Sequence, residues 1–207
     1  RRIKGLNAIA GQRGSTLVVA GCLSEINPVA VSRVSSGIIQ VGPRLQELAS
    51  ALNLQKRGFS PSSPEIRENS LVSIIPIARG CLGNCAYCCV RNARGDLRSY
   101  SIKELNKRFK RAVGDAPEVW LTAQDTGCYG MDIGESLPSL LRVLLKNKGE
   151  YRVRVGMLNP QHLLSFCDDY LTLFDDSRLY RFFHLPLQSG SNAVLSAMNR
   201  PYTCLLY

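Results

Sequence analysis

The sequence predicts an α/β protein in which strands and helices alternate and most strands join one parallel sheet. Three observations carry that expectation. Short apolar runs recur along the 207 residues, each followed by a stretch with helical spacing. The segment Gly58-Phe-Ser-Pro-Ser-Ser-Pro64 has linker chemistry and separates a smaller first part from a larger second part. A cysteine-rich loop directly follows one apolar run, where sheets of this kind carry their ligand groups.

Residues 1–12 read as the end of a helical or loop segment, and Arg1 is not an initiator residue. Leu17-Val-Val-Ala20 reads as a buried strand ending at Gly21-Cys22-Leu23, and Ile38-Ile-Gln-Val41 as a second. Pro43 to Leu54 reads as a helix, with Pro in its first turn and Leu45, Leu48 and Leu52 at helical spacing. A domain boundary is expected near residue 66, giving domains 1–66 and 67–207. In the second domain, Val72–Pro76 is a strand leading into the cysteine loop. Ser101-Ile-Lys-Glu104 has the wording of a capping box and opens a helix to about Val113. Its apolar stripe is Ile102, Leu105, Phe109 and Val113, with Lys103, Lys107, Lys110 and Arg111 outward. Glu118–Thr122 is the next strand, and residues 137–146 form a helix with Gly149 as its stop. Tyr151–Val155 is a third strand, and 160–173 is mostly helix. Leu179–His184 is a fourth strand, and Asn192–Met198 a last helix. Four β/α units in series require a parallel sheet, open or curled into a barrel.

Composition excludes several classes. A hydrophobic share of 45% and a mean hydropathy near zero describe an ordinary globular chain. No apolar run approaches the ~20 residues of a membrane span, and no secretory signal opens the chain. Clustered thiols without such a signal fit a reducing compartment, so a cytoplasmic location is expected. The net charge of +10 is uneven, at +5 over residues 1–70, +6 over 71–115 and −1 over 116–207. Positive charge surrounds the cysteine loop, where a polyanion would dock; a merely solvated basic face is the competing reading.

Cys81, Cys85 and Cys88 form a CxxxCxxC array with Tyr87 before the third cysteine. Soft thiolates so closely spaced point to zinc or iron–sulfur. Structural zinc takes four protein ligands, usually in paired knuckles, and no second knuckle follows, which favours iron–sulfur. A zinc site completed by Cys89, Cys128 or Cys167 stays open as the alternative. A disulfide framework does not fit scattered remaining cysteines in a chain of this size. Cys89 reads as a packing thiol, and Cys167 and Cys204 as inert ones.

This array resembles the radical S-adenosylmethionine (SAM) signature, and its flanks resemble the tRNA methylthiotransferase family. The matching stretches are Val18–Leu23, the cysteine loop, Ala93–Tyr100, Trp120–Gly130, Gly156–Pro160, Phe183–Ser191 and Met198–Thr203. The wording Ala93-Arg-Gly and Asp125-Thr-Gly-Cys-Tyr-Gly130 resembles the subfamily acting on N6-threonylcarbamoyladenosine. The resemblance implies a partial radical SAM barrel preceded by a truncated α/β methylthiotransferase domain. It implies that Cys81, Cys85 and Cys88 hold a 4Fe–4S cluster whose open iron binds SAM for reductive cleavage to a 5′-deoxyadenosyl radical. It places Tyr87, Gln124, Asp125, Arg154 and Asn159 around SAM, an amide and a carboxylate being acceptors for its ammonium and an arginine a fork for its carboxylate.

Alone, Cys22 reads as a packing thiol at a strand end. The resemblance makes it one of three ligands of an auxiliary 4Fe–4S cluster, the other two expected upstream of Arg1. The implied product is the 2-methylthio derivative of the modified adenosine at tRNA position 37. Arg91, Arg94 and Arg98 would meet the anticodon loop or the threonylcarbamoyl carboxylate; solvated loop arginines are the plain alternative. A low-potential electron donor is implied as a further partner. His184 and Gln188 follow the fourth strand and are given no proton-transfer role. About two closing barrel units and a small RNA-binding domain are expected beyond residue 207, so the chain reads as a fragment without full activity. The alternative functions are another radical SAM methylthiotransferase, acting on isopentenyladenosine tRNA or a ribosomal protein, and a non-catalytic metal-bearing RNA-binding module.

Overall fold

The computed structural model describes residues 1–52, 66–67 and 71–206. In chain order the elements begin with α1 (Arg2–Gln12), β1 (Val18–Ala20), α2 (Cys22–Ile26), α3 (Pro28–Ser32), β2 (Ile39–Val41) and α4 (Leu45–Ala51). There follow β3 (Ile66–Arg67), β4 (Val72–Pro76), β5 (Ala78–Arg79), α5 (Cys89–Arg94), β6 (Arg98–Ser99) and α6 (Ile102–Asp115). The last are β7 (Glu118–Thr122), α7 (Leu137–Leu144), β8 (Arg152–Val155), α8 (Pro160–Leu163), α9 (Cys167–Leu171) and α10 (Asn192–Ala197). The linker stretch 58–64 and the expected end of the helix at 53–54 lie outside the described residues. Among the described residues no helix is long and apolar enough to cross a membrane.

Two compact units emerge, one of Arg1–Ser62 with Cys88–Gly95, the other of Ser63–Tyr87 with Asp96–Tyr207. In the first, β1 and β2 pair in parallel, Val18 opposite Ile39 and Ala20 opposite Val41. Residues 2–12 are fully helical. Helix α3 starts where Pro28 supplies a pre-set φ at N1 and the Asn27 side chain accepts from the Ala30 amide at 3.0 Å. Helix α5 packs on α2 and stops at Gly95, whose φ of +74° suits glycine.

In the second unit the sheet order is β3-β4-β7-β8, with β4, β7 and β8 parallel and β3 antiparallel at the edge. Side chains alternate between its two faces. Ile75, Val119, Leu121, Val153 and Val155 point to one side and are buried. Helices α6 and α7 add Leu105, Phe109, Leu137, Leu140, Leu141 and Leu144 to that core. Each such side chain contributes about 1.5–3 kcal/mol by leaving water. Ile74, Trp120 and Arg154 share the opposite, half-buried face.

Several expectations are corrected. Leu179–His184 is not a continuous strand. It meets β8 and the loop after it through two isolated parallel bridges, Val153 to Leu179 and Met157 to His184. Five residues on one side (153 to 157) face six on the other (179 to 184), and the extra one is absorbed where the Phe182 amide bonds the Tyr180 carbonyl at 2.8 Å. The capping box at Ser101 is half made. Ser101 Oγ accepts from the Glu104 amide, while the Glu104 carboxylate instead pairs with buried Arg108. Helix α7 ends at Leu144 because Arg178 takes the following carbonyls, Leu145 O at 2.5 Å and Asn147 O at 2.7 Å. The 160–173 stretch breaks into α8, α9 and a 3₁₀ turn; at the break, Ser165 Oγ donates to the His162 carbonyl that a continuing helix would use.

Candidate active site

The loops at the carboxyl ends of the parallel strands carry the chemistry-bearing residues. After β4 the chain makes the short β5, which pairs with β6 through Ala78–Ser99 and Arg79–Arg98. The cysteine loop lies between these two strands in sequence. Cys81 and Cys85 flank Gly83, whose amide donates to Cys81 Sγ at 3.2 Å. A Cβ on Gly83 would stand 3.3 Å from Cys81 Sγ and 3.6 Å from Cys85 Sγ, so glycine leaves the space over both sulfurs open. Cys88 is the residue before helix α5, within the first unit. Cys22 opens α2 in that unit, half-buried. Cys89 is exposed, which corrects its reading as a packing thiol.

After β7 comes Gln124, whose Oε1 is buried with no hydrogen-bond partner among the described residues. Asp125 is 1% exposed. Its Oδ1 accepts from the amides of Gly127 at 2.9 Å and Asn159 at 3.0 Å, tying the loop after β7 to the loop after β8. Its Oδ2 makes no hydrogen bond and lies 3.6 Å from His162 Nε2. Burial lowers the His162 pKa against the opposing pull of Asp125, so the imidazole is held neutral. Asn159, also buried, caps α8 by accepting from the Gln161 amide at 3.4 Å. The orphaned oxygens of Gln124 and Asp125 are acceptors awaiting a donor.

Arg154 stacks between two rings, its guanidinium carbon 4.7 Å from the Trp120 centroid and 5.0 Å from that of Phe182. Tyr87 is half exposed, and its hydroxyl accepts from Arg200 Nη2. Arg91 and Arg94 are on α5, the first half-buried and the second exposed, and Arg98 is exposed on β6. His184 and Gln188 are both exposed.

One residue is more central than its sequence context suggests. Cys128, fully buried, brings its sulfur within 4.8 Å of both Cys81 Sγ and an Asp125 oxygen. A hydrogen bond with Cys81, then burial, then the Asp125 charge push its thiol pKa up. Sequence could only name it as one of three candidates to complete a zinc site. Its place one helical turn after a buried aspartate was the available signal.

The model of the radical SAM superfamily matches residues 75–203, from within β4 to beyond α10. The chain belongs to the radical SAM superfamily. Enzymes of that superfamily use a 4Fe–4S cluster and SAM, and the cysteine-rich loop, with the Cys81 and Cys85 sulfurs uncovered at Gly83, is compatible with one such cluster. The chain is 40% identical over 217 residues to the probable threonylcarbamoyladenosine tRNA methylthiotransferase of Pyrococcus abyssi, covering 98% of this chain and 50% of that protein. It is 37% identical over 211 residues to the threonylcarbamoyladenosine tRNA methylthiotransferase of Drosophila melanogaster, covering 92% of this chain and 38% of that one. The chain thus spans about half the length, or less, of the curated relatives it matches. TsrM, a radical SAM methyltransferase of Kitasatospora setae, superposes with a TM-score of 0.68 at 14% identity, covering 99% of this chain and 49% of that one. That likeness shows a common fold.

Proposed function

We propose that this radical SAM chain is the SAM-cleaving part of a tRNA methylthiotransferase that modifies C2 of N6-threonylcarbamoyladenosine at tRNA position 37. The observation that carries the reading is the convergence of Cys81, Cys85, Gln124, Asp125 and Asn159 on loops after parallel strands, in a chain matching such enzymes over 98% of its length. Cys81, Cys85 and Cys88 hold the 4Fe–4S cluster, which when bound supplies the electron for SAM cleavage. Gln124 Oε1 and Asp125 Oδ2 receive the ammonium of SAM. Arg154, held flat by Trp120 and Phe182, offers its edge to an anionic or ribose group, and Asn159 and Tyr87 complete the SAM surroundings.

Residues 1–66 belong to an amino-terminal methylthiotransferase domain and 67–207 to the radical SAM domain. In the first, Cys22 is a ligand of the auxiliary cluster. Arg91, Arg94 and Arg98 hold the tRNA anticodon loop. The protein works in the cytoplasm with a low-potential electron donor. The test is anaerobic reconstitution with iron and sulfide, then dithionite and SAM. Expected are four irons per chain and 5′-deoxyadenosine, both lost in Cys85→Ala. A folded, iron-loaded chain that produces none sinks the reading.

A second reading is favoured by the Cys81–Asp125–Cys128 group, a zinc-type donor set in a non-catalytic RNA-binding module. It expects one zinc, retained in Cys85→Ala and lost in Cys128→Ala.

A further inference from the structure

We infer that the segment Met198–Arg200 is a latch that fixes the cysteine loop, with Arg200 as the residue that positions Tyr87. Three contacts reach back across more than 110 residues of sequence. The Ala86 amide donates to the Met198 carbonyl at 3.1 Å. Asn199 Nδ2 donates to the Asn84 carbonyl at 2.6 Å. Arg200 Nη2 donates to the Tyr87 hydroxyl, and its guanidinium carbon lies 5.6 Å from the Tyr87 ring centroid. The loop residues between the second and first cluster cysteines and just beyond are therefore held from outside the loop.

The latch is itself stiff. Helix α10 ends in a left-handed stop: Asn199 has φ +55°, its amide bonds the Ser196 carbonyl at 2.9 Å, and the Arg200 amide bonds the Leu195 carbonyl at 2.9 Å. These are the two paired bonds of a Schellman motif, with asparagine in the position glycine usually takes. Leu195 anchors the helix, being fully buried. The stop thus turns Asn199 and Arg200 toward the loop by backbone geometry rather than by side-chain choice.

Arg200 has a further donor on the same guanidinium. Its Nε is buried with no hydrogen-bond partner among the described residues, and so is the Tyr202 hydroxyl.

The test is made on the whole chain. In the metal-free protein, hydrogen exchange is followed by mass spectrometry in peptides covering residues 82–88 and, as a control, α6. Asn199→Ala and Arg200→Met are expected to speed exchange at Ala86 about tenfold and leave α6 unchanged. Asn199→Gly keeps the left-handed stop and removes only the side-chain bond, so it separates the two roles and guards against misfolding of the alanine variant. Unchanged exchange at 82–88 in both Asn199→Gly and Arg200→Met overturns the latch.

If the wild-type chain takes up no iron through Cys85, the reading of the loop as cluster-bearing fails, while hydrogen exchange still upholds or overturns the latch.

Discussion

The two halves of the candidate site are built differently. The loops after β7 and β8 are knitted to each other at short range. The Thr126 amide and hydroxyl both reach the Met157 carbonyl, at 2.9 and 2.8 Å, and Asp125 Oδ1 gathers two amides. Gly156 sits so close that a Cβ there would stand 3.1 Å from the Leu121 carbonyl oxygen. The cysteine loop meets the loop after β7 through Cys81, whose sulfur lies within 4.8 Å of Cys128 Sγ and an Asp125 oxygen. It is also held by residues 198–200, more than 110 positions away. The loops after β7 and β8 are tied by neighbours along the sheet, whereas the cysteine loop also draws on residues 198–200.

Substitutions can break that contrast. The largest expected effect is from Asp125→Ala, which removes an acceptor of two buried amide bonds. Hydrogen bonds to a charged group are worth about 1.5–3 kcal/mol each, so unfolding stability should drop by about 3 kcal/mol or more, read as a lower urea midpoint. Gly130→Ala comes next. Its φ is +84° and an added Cβ would lie 2.4 Å from the Glu135 carbonyl carbon, so a loss of about 2 kcal/mol is expected in the same measurement.

His162 sharpens the comparison through pH. Its pKa is lowered by burial from 6.5, so the unfolded chain binds the proton more readily. The sign follows: this contribution is complete above pH 6.5 and is lost as the pH falls below it toward the folded-state value. His162→Gln should flatten the stability profile in that range. The smallest global effect belongs to Asn199→Gly, expected within about 0.5 kcal/mol of wild type by urea unfolding because its side chain is exposed. Equal midpoints with faster loop exchange would show that the cysteine loop is secured separately from the sheet. A midpoint falling as far as that of Asp125→Ala would erase the distinction.

Much of the fold was legible because it is local. β4 and β7 fall on the residues their apolar alternation marks, and Ser101 caps α6 as its position suggests. The kinked Leu179–His184 segment was not legible, since one inserted residue changes pairing without changing the apolar pattern. The same holds for α7, shortened by Arg178, a residue 34 positions after Leu144. In the site, Gln124, Asp125 and Asn159 could be named from strand ends, but not the bond that makes Asp125 and Asn159 one unit. Cys128 looked like a scattered thiol until the turn Thr126–Cys128 brought its sulfur to Cys81. The Asn199 and Arg200 contacts were hidden most deeply. Both ends carry recognisable wording, yet no spacing rule joins residues so far apart.

The stack on the half-buried face of the sheet has an optical consequence. Trp120 is the one tryptophan in the sequence, its indole N–H donating to Glu118 at 2.5 Å and its ring lying under Arg154. Indole emission therefore arises from a single point, between a carboxylate and a guanidinium whose field sets its colour. An iron–sulfur chromophore absorbs where indole emits, so loading of the cysteine loop should dim that emission. Displacement of Arg154 by an incoming anion should shift its wavelength instead. The protein carries its own gauge for telling metal occupancy from ligand occupancy, without a label and in one cuvette.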